Sequence, residues 1–226
     1  MTSAQAEIIW NTGDLPVSAR FDDPYFSMTD GLAETRHVFL DGNDLPTRLS
    51  DGFHIAELGF GTGLNFLATL HLWRSLNRAG TLQFTSFEAY PMSRPDMARA
   101  LEAFPQLSDI SREFLSVWTG PDRETAMNGA RLTVISGDAR LTLPDWPGRA
   151  DAWFLDGFSP AKNPELWGAE LMTEVARHTA ACGTAATYSA AGHIRQKLAD
   201  AGFTVNRTPG FGRKRHMTRA RLDATA

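Results

Sequence analysis

The chain has 226 residues and a mass of 24.8 kDa, with 42% hydrophobic and 21% charged residues and a mean hydropathy of −0.26. That composition supplies a core and excludes a disordered linker; no apolar run approaches the ~20 residues of a membrane helix, and the first ten residues lack the basic start and apolar run of a secretory signal, so a cytoplasmic protein is expected. A single cysteine, Cys182, excludes an internal disulfide, no Cys/His cluster offers four zinc ligands, and the net charge of −4 conceals two ends of opposite sign.

Residues 1–50 are rich in Asp, Gly and Pro with isolated aromatics. They are expected to form an N-terminal extension of irregular structure packed on the body, with a hairpin near 36–40. Up to Glu57 the chain carries ten acids against Arg20, Arg36 and Arg48, a net of −7 that repels polyanions. After Asp51 the texture changes, and 51–226 is expected to be one domain. Short apolar runs at 54–58, 83–89, 131–136, 151–156 and 184–189 are strand candidates. Segments 63–78, 94–104 and 191–201 space apolar residues three and four apart, as amphipathic helices packing on a sheet do. Such alternation predicts an α/β fold with a mostly parallel, doubly wound sheet. Two further strands, 203–207 and 216–222, have no helix between them and are joined through Pro209-Gly210-Phe211-Gly212, which predicts seven strands in all and an antiparallel hairpin at the end. From Arg177 onward nine bases face two acids, a net of +7. This is either a solvated tail or a localised face for phosphates.

The sharpest local signal is Glu57-Leu58-Gly59-Phe60-Gly61-Thr62-Gly63-Leu64-Asn65, a strand that runs through a glycine turn into a helix. Glycines there let the backbone turn sharply and approach a ligand, and the helix start presents free N–H groups. Leu64 stands where a dinucleotide fingerprint would place its third glycine, and Glu57 would repel a pyrophosphate but suits a ligand bearing an ammonium group.

The E-x-G-x-G-x-G run resembles the S-adenosylmethionine loop of Rossmann-like methyltransferases. That resemblance assigns Glu57, Gly59, Phe60, Gly61, Gly63 and Asn65 to the cofactor. It also implies that Glu88, at the end of the next strand candidate and 25 residues beyond Gly63, holds the two ribose hydroxyls. Asp138 and Ala139 resemble the loop that contacts adenine, although Asp138 would equally serve as a helix cap. The fourth strand delivers Asp156-Gly157-Phe158-Ser159-Pro160-Ala161-Lys162, the most specific stretch of the chain.

With that stretch the chain closely resembles the methyltransferase domain of the MnmC/MnmD tRNA-modifying enzymes. The match also includes the segments 21–27, 31–36, 38–43 and 208–215; Pro24 and His216 depart from the expected pattern. The resemblance implies methyl transfer from S-adenosylmethionine to the amine of 5-aminomethyl-2-thiouridine at the tRNA wobble position. It further implies that the flavin-dependent oxidase usually fused behind this domain lies outside the chain, so that no flavin is expected and a separate enzyme supplies the amine.

Asp156 is the candidate for orienting the amine and accepting its proton, as well as a cofactor neighbour, with Phe158 and Lys162 as the other catalytic candidates. Lys162 would touch a phosphate, help orient Asp156, or simply face solvent. Tyr25, Phe26, Phe158, Tyr188 and Phe211 are placed to stack on a base, and Arg213, Lys214 and Arg215 to contact tRNA phosphates. His54, His71 and His178 read as surface residues of helices or strands, and no metal is expected. Two other readings remain at this stage: an alkyltransferase acting on a small amine or polyamine, and a non-catalytic tRNA-binding subunit with a vestigial cofactor pocket.

Overall fold

A computed structural model describes residues 5–27 and 30–223. Of the extension expected over 1–50, residues 1–4, 28 and 29 lie outside the described residues. The chain opens with a three-stranded antiparallel sheet of β1 (Ile8–Asn11), β2 (Leu15–Ser18) and β3 (Asp23–Pro24). Helix α1 (Gly31–Thr35) starts at Asp30, whose side chain accepts from Ala33 N at 2.8 Å, and continues into a π-helical segment, Arg36–Asp41, followed by α2 (Leu45–Arg48). The hairpin expected near 36–40 is therefore absent. Val38, Phe39 and Leu40 are all buried, and a strand half-buried on one face cannot bury three consecutive side chains, whereas a helix wedged into the core can.

The body then alternates β4 (His54–Leu58), α3 (Leu64–Ser75), β5 (Leu82–Glu88), α4 (Arg94–Leu101), α5 (Ser108–Val117), β6 (Glu124–Met127), β7 (Ala130–Ser136), α6 (Ala139–Thr142), β8 (Ala150–Leu155), α7 (Ala169–Arg177), β9 (Thr179–Thr187), α8 (Gly192–Asp200), β10 (Phe203–Pro209) and β11 (His216–Leu222). The sheet has eight strands in the order β10-β11-β9-β8-β4-β5-β7-β6. Its five central strands, from β9 to β7, are parallel, while β6, β10 and β11 pair antiparallel. The eighth strand, missing from the sequence expectation, is β6, which turns back on β7 through Asn128-Gly129 with Met127 opposite Ala130.

Period-two alternation sorts the strands onto two cores. Ile55, Phe84, Leu132 and Phe154 pack with α3, α4, α5 and the helices of residues 31–48; Ala56, Phe87, Trp153 and Leu155 pack with α6, α7 and α8. The sheet order reverses between β4 and β8, since β5 and β7 lie to one side of β4 and β8 and β9 to the other. Ligands of open α/β sheets bind at such a switch point, beyond the carboxyl ends of the strands.

Candidate active site

The loop after β4 is built from Gly59, Gly61 and Gly63, with φ of +91°, +53° and +80°. Gly59 is required by space as well as by torsion, because a Cβ there would sit 2.8 Å from the carbonyl oxygen of Asp156 in the loop after β8. The two loops that flank the switch point thus meet backbone to backbone at Gly59. Above them opens a cavity of about 690 Å³, within the ~300–1,000 Å³ range of small-molecule sites.

One wall belongs to Glu88. Its Oε2 accepts from Gly61 N at 2.9 Å and its Oε1 from Tyr90 N at 2.8 Å, which fixes the carboxylate at the cavity wall. Burial raises its pKa, against the backbone hydrogen bonds that lower it. Beside it Asp138 caps α6, accepting from Arg140 N at 2.9 Å, and pairs with the Arg140 guanidinium at 2.5 Å, which holds its pKa below the usual value. Asp138 and Ala139 both line the cavity, so the capping role and a place in the site coexist.

The opposite wall belongs to Asp156. Asn65, in the first turn of α3, donates through Nδ2 to Asp156 Oδ2 at 2.6 Å and to Glu57 Oε1 at 2.8 Å, while its Oδ1 accepts from the Thr35 hydroxyl at 2.9 Å. Ser86 Oγ donates to the other Glu57 oxygen at 2.7 Å. One amide therefore locks two carboxylates in place, and Thr35 fixes which way that amide points. Desolvation raises the Asp156 carboxyl from 3.8 to about 7; the Asn65 hydrogen bond opposes it, Glu34 adds to it and Lys214 offsets it.

Most of the sequence-predicted residues converge here: Tyr25, Phe26, Gly59, Phe60, Gly61, Asn65, Glu88, Asp138, Ala139, Asp156, Phe158 and Lys214 line the cavity, as does Tyr188. Phe158 stacks on Phe21 with centroids 4.8 Å apart and meets Tyr25 edge-on at 5.1 Å, giving the rim an aromatic cluster. Six residues fall elsewhere. Glu57 is only 1% exposed and lies beneath the loop, so it reaches the site through Asn65 and not by direct contact; burial holds its pKa well above the ordinary carboxylate value. Gly63 turns the chain under the Phe60 ring. Lys162 donates to the carbonyl of Asp22 and pairs with its carboxylate at 2.9 Å, fastening the 158–163 loop to the N-terminal segment and leaving Asp156 to Asn65. Phe211 packs against the core and His37, with ring centroids 6.0 Å apart, and is not part of the cavity lining; Arg213 and Arg215 are exposed at the hairpin tip. His178, expected at the surface, is buried, its ring nitrogens within 3.0 Å of the Glu174 carbonyl and 2.8 Å of the Trp146 carbonyl.

Glu34, Thr35, Phe39, Tyr90 and Arg140 also line the cavity without having been singled out as site residues. Glu34 and Thr35 had a signal, since they lie in the quoted segment 31–36. Among the described residues no group of three or more His, Cys, Asp and Glu could hold a metal ion, and no helix is long and apolar enough to cross a membrane.

Residues 102–223 match the family described as S-adenosyl-L-methionine-dependent methyltransferase. The chain is 44% identical to the tRNA 5-methylaminomethyl-2-thiouridine biosynthesis bifunctional protein MnmC of a Caulobacter species, with 97% of this chain and 38% of that protein covered. It is also 44% identical to the protein of that name from Hahella chejuensis, over 94% of this chain and 36% of the relative. The chain thus spans well under half the length of these curated relatives. The crystal structure of MNMC2 from Aquifex aeolicus superposes with a TM-score of 0.75 at 26% identity, covering 100% of this chain and 73% of that one.

Proposed function

The chain belongs to the S-adenosyl-L-methionine-dependent methyltransferases, and from that premise we propose that it methylates the aminomethyl nitrogen of 5-aminomethyl-2-thiouridine at the wobble position of tRNA, in the cytoplasm, giving 5-methylaminomethyl-2-thiouridine. The observation that carries the chemistry is Asp156, a carboxylate raised to about 7 at the switch point and sharing its cavity with Glu88. The acceptor is taken from the names of the bifunctional relatives and from the likeness to the Aquifex structure.

The residues present suit the cofactor. The glycine loop admits a ligand against bare backbone, Glu88 presents to the cavity a backbone-held carboxylate of the kind that accepts from ribose hydroxyls, and the Asp138–Ala139 turn supplies the adenine end. When bound, S-adenosylmethionine supplies an electrophilic methyl group carried on a sulfonium.

What the protein must add is an amine with a free lone pair. An alkylammonium has a pKa of ~10.4 in water. Passing its proton to a carboxylate of pKa 3.8 would be uphill by roughly 9 kcal/mol, whereas a carboxylate at about 7 lowers this to roughly 5 kcal/mol. Burial of Asp156 thus turns a poor base into a workable one, and because Asn65 engages Oδ2, Oδ1 is the oxygen left to take the proton. The aromatic rim of Phe21, Tyr25 and Phe158 offers π faces of the kind on which single-stranded RNA bases stack.

The test is direct: incubate the protein with methyl-labelled S-adenosylmethionine and tRNA that carries 5-aminomethyl-2-thiouridine at the wobble position but not its methylated form, digest, and identify the labelled nucleoside. Label should appear in 5-methylaminomethyl-2-thiouridine. Label in any other nucleoside, or in none, overturns the reading.

A further inference from the structure

Lys214 sits in the basic hairpin loop and, unlike Arg213 and Arg215, makes an ion pair among the described residues. Nζ lies 2.8 Å from Glu34 Oε1 and 4.0 Å from the centroid of the Tyr188 ring. Glu34 comes from α1 and its side chain is only 14% exposed, so its carboxylate faces inward. Tyr188 follows β9 and donates its hydroxyl to the Gly157 carbonyl at 2.7 Å, which anchors the ring beneath the Lys214 ammonium. Glu34, Tyr188 and Lys214 line the same cavity as Asp156, and Gly157, which anchors Tyr188, is the residue after Asp156.

A carboxylate and a π face converging on one ammonium form a cage for an alkylammonium ion. The group it holds here, a primary ammonium on a methylene, has the same end chemistry as the amine of an aminomethyl substituent. We infer that Glu34 and the ring face of Tyr188 are the subsite for the ammonium of the acceptor, beside the proton acceptor Asp156, and that Lys214 fills this subsite as an internal stand-in until the acceptor arrives. The inference rests on the acceptor being an amine, as proposed above.

The energetics permit the exchange. Lys214 is 46% exposed, and ion pairs with so exposed a partner are weak, so an incoming ammonium displaces it at little cost. The cage also suits both ends of the reaction, because the methylated amine is again a cation once protonated. Lys214, once released, stands in the same exposed loop as Arg213 and Arg215 and becomes available to a phosphate. The competing account is that the Glu34–Lys214 pair only fastens the hairpin to α1.

Ethylammonium chloride, titrated against each folded protein and followed by protein-observed NMR at constant ionic strength, separates the two accounts without any methyl transfer. Lys214→Ala empties the cage and should bind ethylammonium about two- to fivefold more tightly than the wild type, the gain expected on removing a competitor held by up to about 1 kcal/mol. Adding Glu34→Gln to Lys214→Ala should abolish that gain, and adding Tyr188→Leu should reduce it. In steady-state assays Glu34→Gln should raise KM for tRNA about tenfold or more while calorimetry shows an unchanged Kd for S-adenosylmethionine. Equal ethylammonium affinity in wild type and Lys214→Ala, or an unchanged KM in Glu34→Gln, overturns the inference. Failure of the wild type to label tRNA would instead overturn the proposed acceptor, and the ethylammonium titration reads the cage independently of that result.

Discussion

Replacing Asp156 with Asn should stabilise the protein above neutral pH while nearly abolishing its activity. The carboxyl moves from 3.8 to about 7 in the folded protein, so ionising it there costs roughly 4 kcal/mol more than ionising it in the unfolded chain. Because the folded pKa is the higher one, the stabilisation that this group contributes is complete below pH 3.8, declines as pH rises, and is lost once pH passes about 7. Asn cannot ionise and so avoids that loss, and its amide oxygen can still accept from Asn65 Nδ2, now 2.6 Å from Asp156 Oδ2. Water in the open cavity relaxes part of the penalty, which makes ~4 kcal/mol a ceiling and ~2 kcal/mol a working figure. For a domain of this size that corresponds to a rise in Tm of about 4–8 °C at pH 8.5. Calorimetric melts from pH 4 to 9 should show the gap narrowing below pH 7 and closing near pH 4. Turnover at pH 8 should fall by about 10²–10⁴, the range expected for losing a general base, with a smaller effect on cofactor affinity. A variant that melts at or below the wild type at pH 8.5, or a gap that does not vary with pH, would refute the account of Asp156 as a destabilised carboxylate held for its basicity.

Glu88→Gln should weaken S-adenosylmethionine binding at least tenfold by calorimetry, because charge-assisted hydrogen bonds to a carboxylate contribute ~1.5–3 kcal/mol and the amide NH₂ must face either Gly61 N or Tyr90 N, both donors; an unchanged Kd would remove Glu88 from the ribose site. Arg213→Ala combined with Arg215→Ala should weaken tRNA binding and flatten its dependence on salt by up to about one log–log unit per lost phosphate contact, leaving cofactor affinity unchanged. Filter-binding lines that stay parallel and superimposed with the wild type would take the hairpin tip out of the tRNA site.

The alternation of strands and helices is legible because four of the five central strands, β4, β5, β7 and β8, are ended by a glycine or an acid, and the switch-point residues Gly59, Glu88 and Asp156 lie at those ends. β6 was missed although Asn128-Gly129 is the strongest two-residue hairpin signal, because Glu124-Thr125-Ala126-Met127 has no apolar run to draw attention to it. Glu57 adjoins the glycine loop in sequence, but alternation on β4 sends its side chain under α3 with Ile55 while Ala56 and Leu58 face the other core. Thr35, Glu34 and Tyr188 act through partners 30, 180 and 26 residues away in the chain, and pairings of that kind depend on tertiary structure. Lys214 shows the limit most clearly: the run Arg213-Lys214-Arg215 reads as a uniform basic tip and all three residues are exposed, yet the middle one pairs with Glu34.

The two ends of opposite charge are brought together by the fold. Lys214 pairs with Glu34, and Arg219, on β11, pairs with Asp44 at 2.5 Å, so C-terminal bases neutralise acids of the N-terminal segment. Pairs this exposed contribute little to stability. Their consequence is where they leave positive charge: among the described residues Arg213 and Arg215 make no ion pair and stand exposed at the tip. A protein of net charge −4 repels a polyanion at long range, but screening within about 10 Å at ordinary salt lets a local basic point dominate at contact. For the proposed tRNA substrate, that tip is therefore a point at which phosphates meet unpaired positive charge. Lys214 links the tip to the cavity through the same few residues of backbone, so a phosphate held by Arg213 or Arg215 lies close to the ammonium that must leave before an acceptor amine can enter.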